Sequence, residues 1–201
     1  MIGSETKEYK HNVKCVLEHK NGINTEEVWY KNNRVHRDIS VNSCLPAYVD
    51  RYDNGNKKVE RWYVNGKTHR LINNSEFPSC VWYYENGQRR IEAWYNNDKL
   101  HRNQADLPAW IEYYENGNVK QEEWYKYDLL DRRTKDAFGK CLPAMIKYRE
   151  NGEKEEERWY QYDVYHRCEN SDRCLSSQCE KGDILPWINY DEKGKPVEFK
   201  C

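Results

Sequence analysis

The chain has 201 residues, 37% hydrophobic and 33% charged, with a mean hydropathy of −1.21. That polarity excludes a thick globular core, while 14% aromatic residues, with 8 Trp and 17 Tyr, argue against a disordered chain. Its 33 basic and 34 acidic side chains leave a net charge of −1 with no basic run, so nothing steers it toward nucleic acid.

Length alone allows one large domain or two small ones. Residues 1–12 are polar and are expected to form an N-terminal cap. They lack the apolar core of a secretory signal, and Ile2 stands where myristoylation needs glycine. No later stretch reaches the roughly 18 apolar residues of a membrane span, so no transmembrane segment is expected. Without a leader, the eight cysteines are expected as reduced thiols in a cytosolic setting.

From residue 13 onward the chain repeats. Trp-Tyr occurs at Trp29-Tyr30, Trp62-Tyr63, Trp94-Tyr95, Trp124-Tyr125 and Trp159-Tyr160, in steps of 33, 32, 30 and 35 residues. A fixed period of this size marks a repeat array. A glycine stands seven before each Trp, at Gly22, Gly55, Gly87, Gly117 and Gly152. A glutamate stands two before it, at Glu27, Glu60, Glu92, Glu122 and Glu157. An arginine follows it, at Arg37, Arg70, Arg102, Arg132 and Arg167, and a proline opens most copies, at Pro46, Pro78, Pro108 and Pro143. Five β-hairpin repeats are thus expected over 13–167, a Cys-rich linker over 168–184, and a truncated repeat over 185–201.

In the copy at 107–132, residues 108–114 and 119–125 read as strands around the turn Glu115-Asn116-Gly117. Asn-Gly between two such runs predicts a hairpin with both turn residues at positive φ. Asn65-Gly66 predicts a second turn after Tyr63, and the last copy substitutes Lys193-Gly194.

Six residues before the turn glycine stand Val16, Val49, Val81, Ile111, Ile146 and Ile188, which are expected to face the core. Period two adds Ala47, Ala109, Ala144, Tyr83, Tyr113 and Tyr148 to that face and puts each Glu beside its Trp. The opposite face carries Cys15, Tyr48, Cys80, Trp110, Met145 and Trp187 in one row, and Leu17, Asp50, Trp82, Glu112, Lys147 and Asn189 in another. Two readings stay open for it. One is a packing ladder between repeats; the other is a partner-binding stripe of Tyr48, Trp82, Trp110, Met145 and Trp187, since soluble proteins rarely leave a long apolar row bare.

The recurrent Glu, Arg and Trp are expected to be structural, with a Glu–Arg pair locking each linker to a hairpin. His36, His69, His101 and His166 precede the Arg in four copies and Asp131 in the other, a substitution that suits a polar linker better than a metal ligand. The serines Ser40, Ser43, Ser75, Ser171, Ser176 and Ser177 sit in loops with no nucleophile–base arrangement nearby. No enzyme, catalytic residue or cofactor is therefore expected.

The run Leu107-Pro-Ala-Trp-Ile-Glu-Tyr-Tyr-Glu-Asn-Gly117, followed by Glu122-Glu-Trp-Tyr125 and a His-Arg linker as at His101-Arg102, resembles MORN-type repeats. It looks most like the variant expanded in large DNA viruses of the cytoplasm, and it covers roughly residues 13–200. The usual linker glycine before Pro-Ala is missing here, and the last copy lacks the Ala and the Trp-Tyr. The resemblance implies an all-β fold, an elongated array of stacked antiparallel β-hairpins. It also implies a non-enzymatic scaffold that binds other proteins. Its sharpest form is a structural virion component, a minor capsid or cement protein bound to capsid proteins. The alternative is an adaptor in the host cytoplasm, at a membrane surface in one version.

Cys168, Cys174 and Cys179, with His166 before them and Cys201 beyond, offer zinc-type ligands. Their spacing matches no familiar knuckle and lacks a Cys-x-x-Cys, so no metal is assigned. Such viruses carry thiol oxidases, so under the resemblance disulfides stand beside free thiols as an open alternative.

Overall fold

The structure is a computed structural model that describes residues 2–9, 11–37, 45–70, 77–104, 106–165, 167–168, 174–175 and 187–197; for 167–168 and 174–175 only the backbone is described. Among these residues there is no helix, and the chain is all-β. It divides into two compact units, Met1–Lys99 and Leu100–Cys201.

In the first unit seven strands pair antiparallel in chain order: Ile2–Tyr9, Val13–Lys20, Ile23–Lys31, Tyr48–Arg51, Lys57–Arg61, Cys80–Tyr83 and Arg89–Ala93. In the second, Trp110–Tyr113, Val119–Glu123, Met145–Tyr148, Lys154–Arg158, Trp187–Tyr190 and Pro196–Val197 do the same. Residues read from the sequence as a cap thus supply a whole strand, Ile2–Tyr9, hydrogen-bonded to Val13–Lys20.

The hairpin turns differ from the expected pair of positive-φ residues. Gly55 donates to the Tyr52 carbonyl at 2.9 Å, and its φ of +86° is the only left-handed one in that turn. Asn54 instead folds its side chain back to accept from the Asn56 N–H at 2.8 Å. The turn spans more residues than a two-residue type I′ turn, and the ladder shifts between Asp50 and Arg51. The same bulge recurs at Gly87, Gly117 and Gly152. Among the long hairpins of the described repeats, that of Val13–Lys20 and Ile23–Lys31 alone has a two-residue turn, with Asn21 at φ 54° and Gly22 at 84° and Lys20 opposite Ile23. That difference moves the register by one residue. Cys15 and Leu17, not Val16, therefore share the face of Glu27 and Trp29 and are buried there.

A second, shorter turn follows each of the five Trp-Tyr pairs that keep the repeat period, at Asn32-Asn33, Asn65-Gly66, Asn97-Asp98, Tyr127-Asp128 and Tyr162-Asp163, with φ between 51° and 82° throughout. The sequence pointed only to Asn65-Gly66. Each repeat is therefore a long hairpin plus a short arm. The arms are stapled in series. The Thr68 N–H donates to the Asp98 carboxylate at 2.6 Å, the Leu100 N–H to Asp128 at 2.7 Å, and the Leu130 N–H to Asp163 at 2.5 Å.

On one face, rows run across the strands. Val49, Glu60, Val81 and Glu92 are consecutive neighbours in the first unit. Ile111, Glu122, Ile146, Glu157 and Ile188 are their counterparts in the second. In the adjacent row small and large residues alternate: the Trp29 N–H reaches the Ala47 carbonyl at 2.8 Å, Trp62 the Ser79 carbonyl at 2.9 Å and Trp124 the Ala144 carbonyl at 2.9 Å. Ala47, Ser79, Ala109 and Ala144 are no more than 2% exposed, so this row takes small side chains at close packing.

Candidate protein-interaction surface

The recurrent Glu, Arg, Trp and Tyr join one repeat to the next. In the first copy the expected ion pair forms, with Arg37 Nη1 at 3.2 Å from Glu27, which also accepts from the Trp29 indole N–H. Across the described copies the more regular partner of the glutamate is a phenol from the following hairpin. Tyr83 donates to Glu60 at 2.5 Å, Tyr148 to Glu122 at 2.8 Å and Tyr190 to Glu157 at 2.6 Å. A cation three residues earlier completes the shell: Lys57 lies 2.7 Å from Glu60, Arg89 2.6 Å from Glu92 and Lys154 2.6 Å from Glu157. Glu60, Glu92 and Glu157 are buried, so these contacts replace lost hydration. Burial, followed by the glutamate, pushes the phenols of Tyr83 and Tyr148 well above the ordinary tyrosine range.

The arginine reaches the other way. Its guanidinium lies over the indole of its own repeat, 4.2 Å from the ring centre for Arg37 on Trp29 and Arg70 on Trp62, and 3.8 Å for Arg132 on Trp124. It then donates to the carbonyl of the proline opening the next repeat. That distance is 3.0 Å for Arg37 to Pro46, Arg70 to Pro78, Arg102 to Pro108 and Arg132 to Pro143. Trp62, Trp94, Trp124 and Trp159 are buried; Trp29 is half-buried. The Arg167 side chain lies outside the described residues.

The His/Asp position touches the arm of the next repeat. His36 Nδ1 accepts from the Asn65 N–H at 3.2 Å, the His101 ring stacks on Tyr127 at 4.1 Å, and Asp131 pairs with Arg133 at 3.1 Å while Arg133 lies 4.1 Å over Tyr162. His101, Trp124, Asp131, Arg132 and Arg133 line a pocket of about 200 Å³. The contacts just described hold His101, Asp131, Arg132 and Arg133 within the repeat framework. His166 lies outside the described residues.

Cys15 and Cys80 are buried thiols, raised by that burial to about 11 and about 12, which keeps them protonated and unreactive at neutral pH. Cys168 and Cys174 stand opposite each other along the backbone of a two-stranded ribbon. The bonding state of the late cysteines, and Cys44, Cys179 and Cys201 themselves, lie outside the described residues. So do Ser40, Ser43, Ser75, Ser171, Ser176 and Ser177.

On the opposite face Tyr125 bonds Glu123, and burial pushes the carboxyl of Glu123 up. Tyr160 stacks on Tyr165, which meets Trp187 edge-on at 5.7 Å. In the first unit, Tyr48 and Trp82 are half-buried with Arg61 between them, 5.9 Å and 5.6 Å from the two rings. In the second, Trp110 and Trp187 are half-buried, whereas Met145, in the same cross-strand row, is 5% exposed and presents little surface. The next row of that unit is charged and self-paired: Lys120 lies 3.0 Å from Glu112, Lys147 3.4 Å and Arg158 2.6 Å from Glu156.

Compared with known proteins, the chain matches no protein family, no curated protein and no solved structure.

Proposed function

We propose that this chain is a non-enzymatic repeat scaffold that binds other proteins through half-exposed aromatic side chains: Tyr48 and Trp82 in the first unit, Trp110 and Trp187 in the second. The supporting observation is a division of labour. Residues identical in every copy are consumed in joining repeats, while these vary from copy to copy and keep part of their rings in solvent. Large, stiff aromatics with an arginine between them are the side chains that dominate binding at protein interfaces. The MORN-like pattern favours a virion component of a large DNA virus, a minor capsid or cement protein.

Quantitative mass spectrometry of purified particles after a high-salt wash tests this reading. Stoichiometric retention supports a structural virion protein, whereas absence moves the assignment to an adaptor in the host cytoplasm. Trp110→Ala with Trp187→Ala is expected to weaken partner capture by at least about tenfold while the far-ultraviolet spectrum is kept. A variant that unfolds instead would make these residues packing and remove them from the binding surface.

A further inference from the structure

The strand Ile2–Tyr9 is exposed at every position and borders the sheet of the first unit. It pairs without interruption, from Ile2 opposite Lys20 to Tyr9 opposite Val13, and among the described residues no strand lies on its outer side. A long, regular edge with free N–H and C=O groups is a template for another strand. Proline and bulges, two of the devices that blunt such edges, are absent from it.

The edge carries charge, and the charge has a pattern. Glu5 and Lys7 lie on one face, 3.6 Å apart, with side chains 52% and 49% exposed. We propose that this edge docks a second copy of the chain, the two Ile2–Tyr9 strands pairing antiparallel about a dyad at Thr6.

Symmetry, strand overlap and charge together select that register, since a dyad on Ser4 or Glu8 leaves much of Ile2–Tyr9 unpaired. Directly opposed residues in an antiparallel pair share a face. Two identical strands related by a dyad must therefore place odd residues opposite odd and even opposite even. Centring the dyad on Glu5 sets two carboxylates against each other, and centring it on Lys7 sets two ammonium groups against each other. Centring it on Thr6 puts Glu5 of each copy opposite Lys7 of the other, Ser4 opposite Glu8, and Gly3 opposite Tyr9. A Cβ at Gly3 would meet nothing within 4 Å, so no side chain of this chain blocks the approach there, and Tyr9 leans inward onto Trp29 at 5.2 Å and leaves the outer side clear. The charges that blunt this edge toward other strands are the ones that match it to its own copy.

The test is sedimentation of the full chain at about 100 μM, a concentration suited to a small interface. Wild type is expected as a dimer. Glu5→Lys alone places lysine against lysine, and Lys7→Glu alone places glutamate against glutamate. Each is expected to weaken the dimer by at least about tenfold. Mixing the two single variants makes every opposed charge complementary again and is expected to yield a heterodimer. Glu5→Lys with Lys7→Glu in one chain is expected to restore the homodimer. All four side chains in the pair and its copy are exposed, so circular dichroism should not change. A wild-type monomer at that concentration would overturn the proposal and leave the edge to a different partner. Dimers indifferent to both single changes would also overturn it, as would variants that fail to associate when mixed.

Discussion

The bond between Tyr83 and Glu60 spans two consecutive hairpins and allows a quantitative trial of the joint. Its donor and acceptor are 2.5 Å apart, and Glu60 is 6% exposed. Tyr83→Phe removes the phenol and leaves the carboxylate with Lys57 at 2.7 Å. Losing a hydrogen bond to a buried charged group costs about 2 kcal/mol. Glu60→Gln keeps the shape but removes the charge, and about 1–2 kcal/mol is expected. Because the two act on the same bond, the double variant should fall short of the sum by about 1 kcal/mol. Urea titration followed by tryptophan fluorescence measures all four proteins. The phenol is raised, so it remains a donor through neutral pH. Its contribution is full below the unfolded tyrosine value of about 10 and is lost only as pH rises beyond it. Strict additivity, or a Tyr83→Phe cost under about 0.5 kcal/mol, would show that the phenol fills space and does not join repeats.

Arg132→Lys should cost about 1–2 kcal/mol, because an ammonium cannot both lie flat on Trp124 and reach the Pro143 carbonyl; an unchanged urea midpoint would dismiss the stack. Asp163→Ala should cost about 1–2 kcal/mol, since it removes the acceptor for the Leu130 N–H and puts alanine at a φ of 62°. Asp163→Asn should recover most of that loss in the same melt. Burial lowers the folded-state pKa of His69 and His101, so their stabilisation is present above the unfolded value of about 6.5 and lost as pH falls below it. The melting temperature of the His69→Gln, His101→Gln double variant should therefore gain on wild type between about pH 7 and pH 5. Parallel curves would count against that account.

The stacking of hairpins was legible because Trp, Glu and turn glycine keep one register through five copies. The short arms were not, apart from Asn65-Gly66. Asn97-Asp98, Tyr127-Asp128 and Tyr162-Asp163 adopt the same left-handed turn without glycine, and Tyr127 and Tyr162 are held there by stacking against His101 and Arg133. The glutamate's regular partner was also hidden. Counting along strands put Tyr83 and Tyr148 on the core face with Val81 and Ile146, but which glutamate each phenol reaches follows only from the pairing of that strand with the preceding hairpin. The first hairpin misled for a related reason. Asn21-Gly22 looks like the Asn-Gly pairs of the four later long hairpins, yet a two-residue turn there exchanges the faces of Cys15 and Val16. Met145 occupies the row predicted for it, but alternation says nothing about what lies above a strand.

The joints described here have a sense along the chain. Phenols look back to the glutamate before them, and guanidiniums look ahead to the proline after them. A repeat cut out whole therefore leaves a stub whose open glutamate and guanidinium meet a phenol and a carbonyl of the same kind. A repeat copied whole inserts with both its neighbours already matched. Lengthening or shortening such a protein in evolution needs no new chemistry at the seam, provided the change comes in complete repeats. An odd residue gained or lost is absorbed only in the stretch between arm and next proline, where the spacing of the Trp-Tyr pairs, from 30 to 35 residues, already records that tolerance.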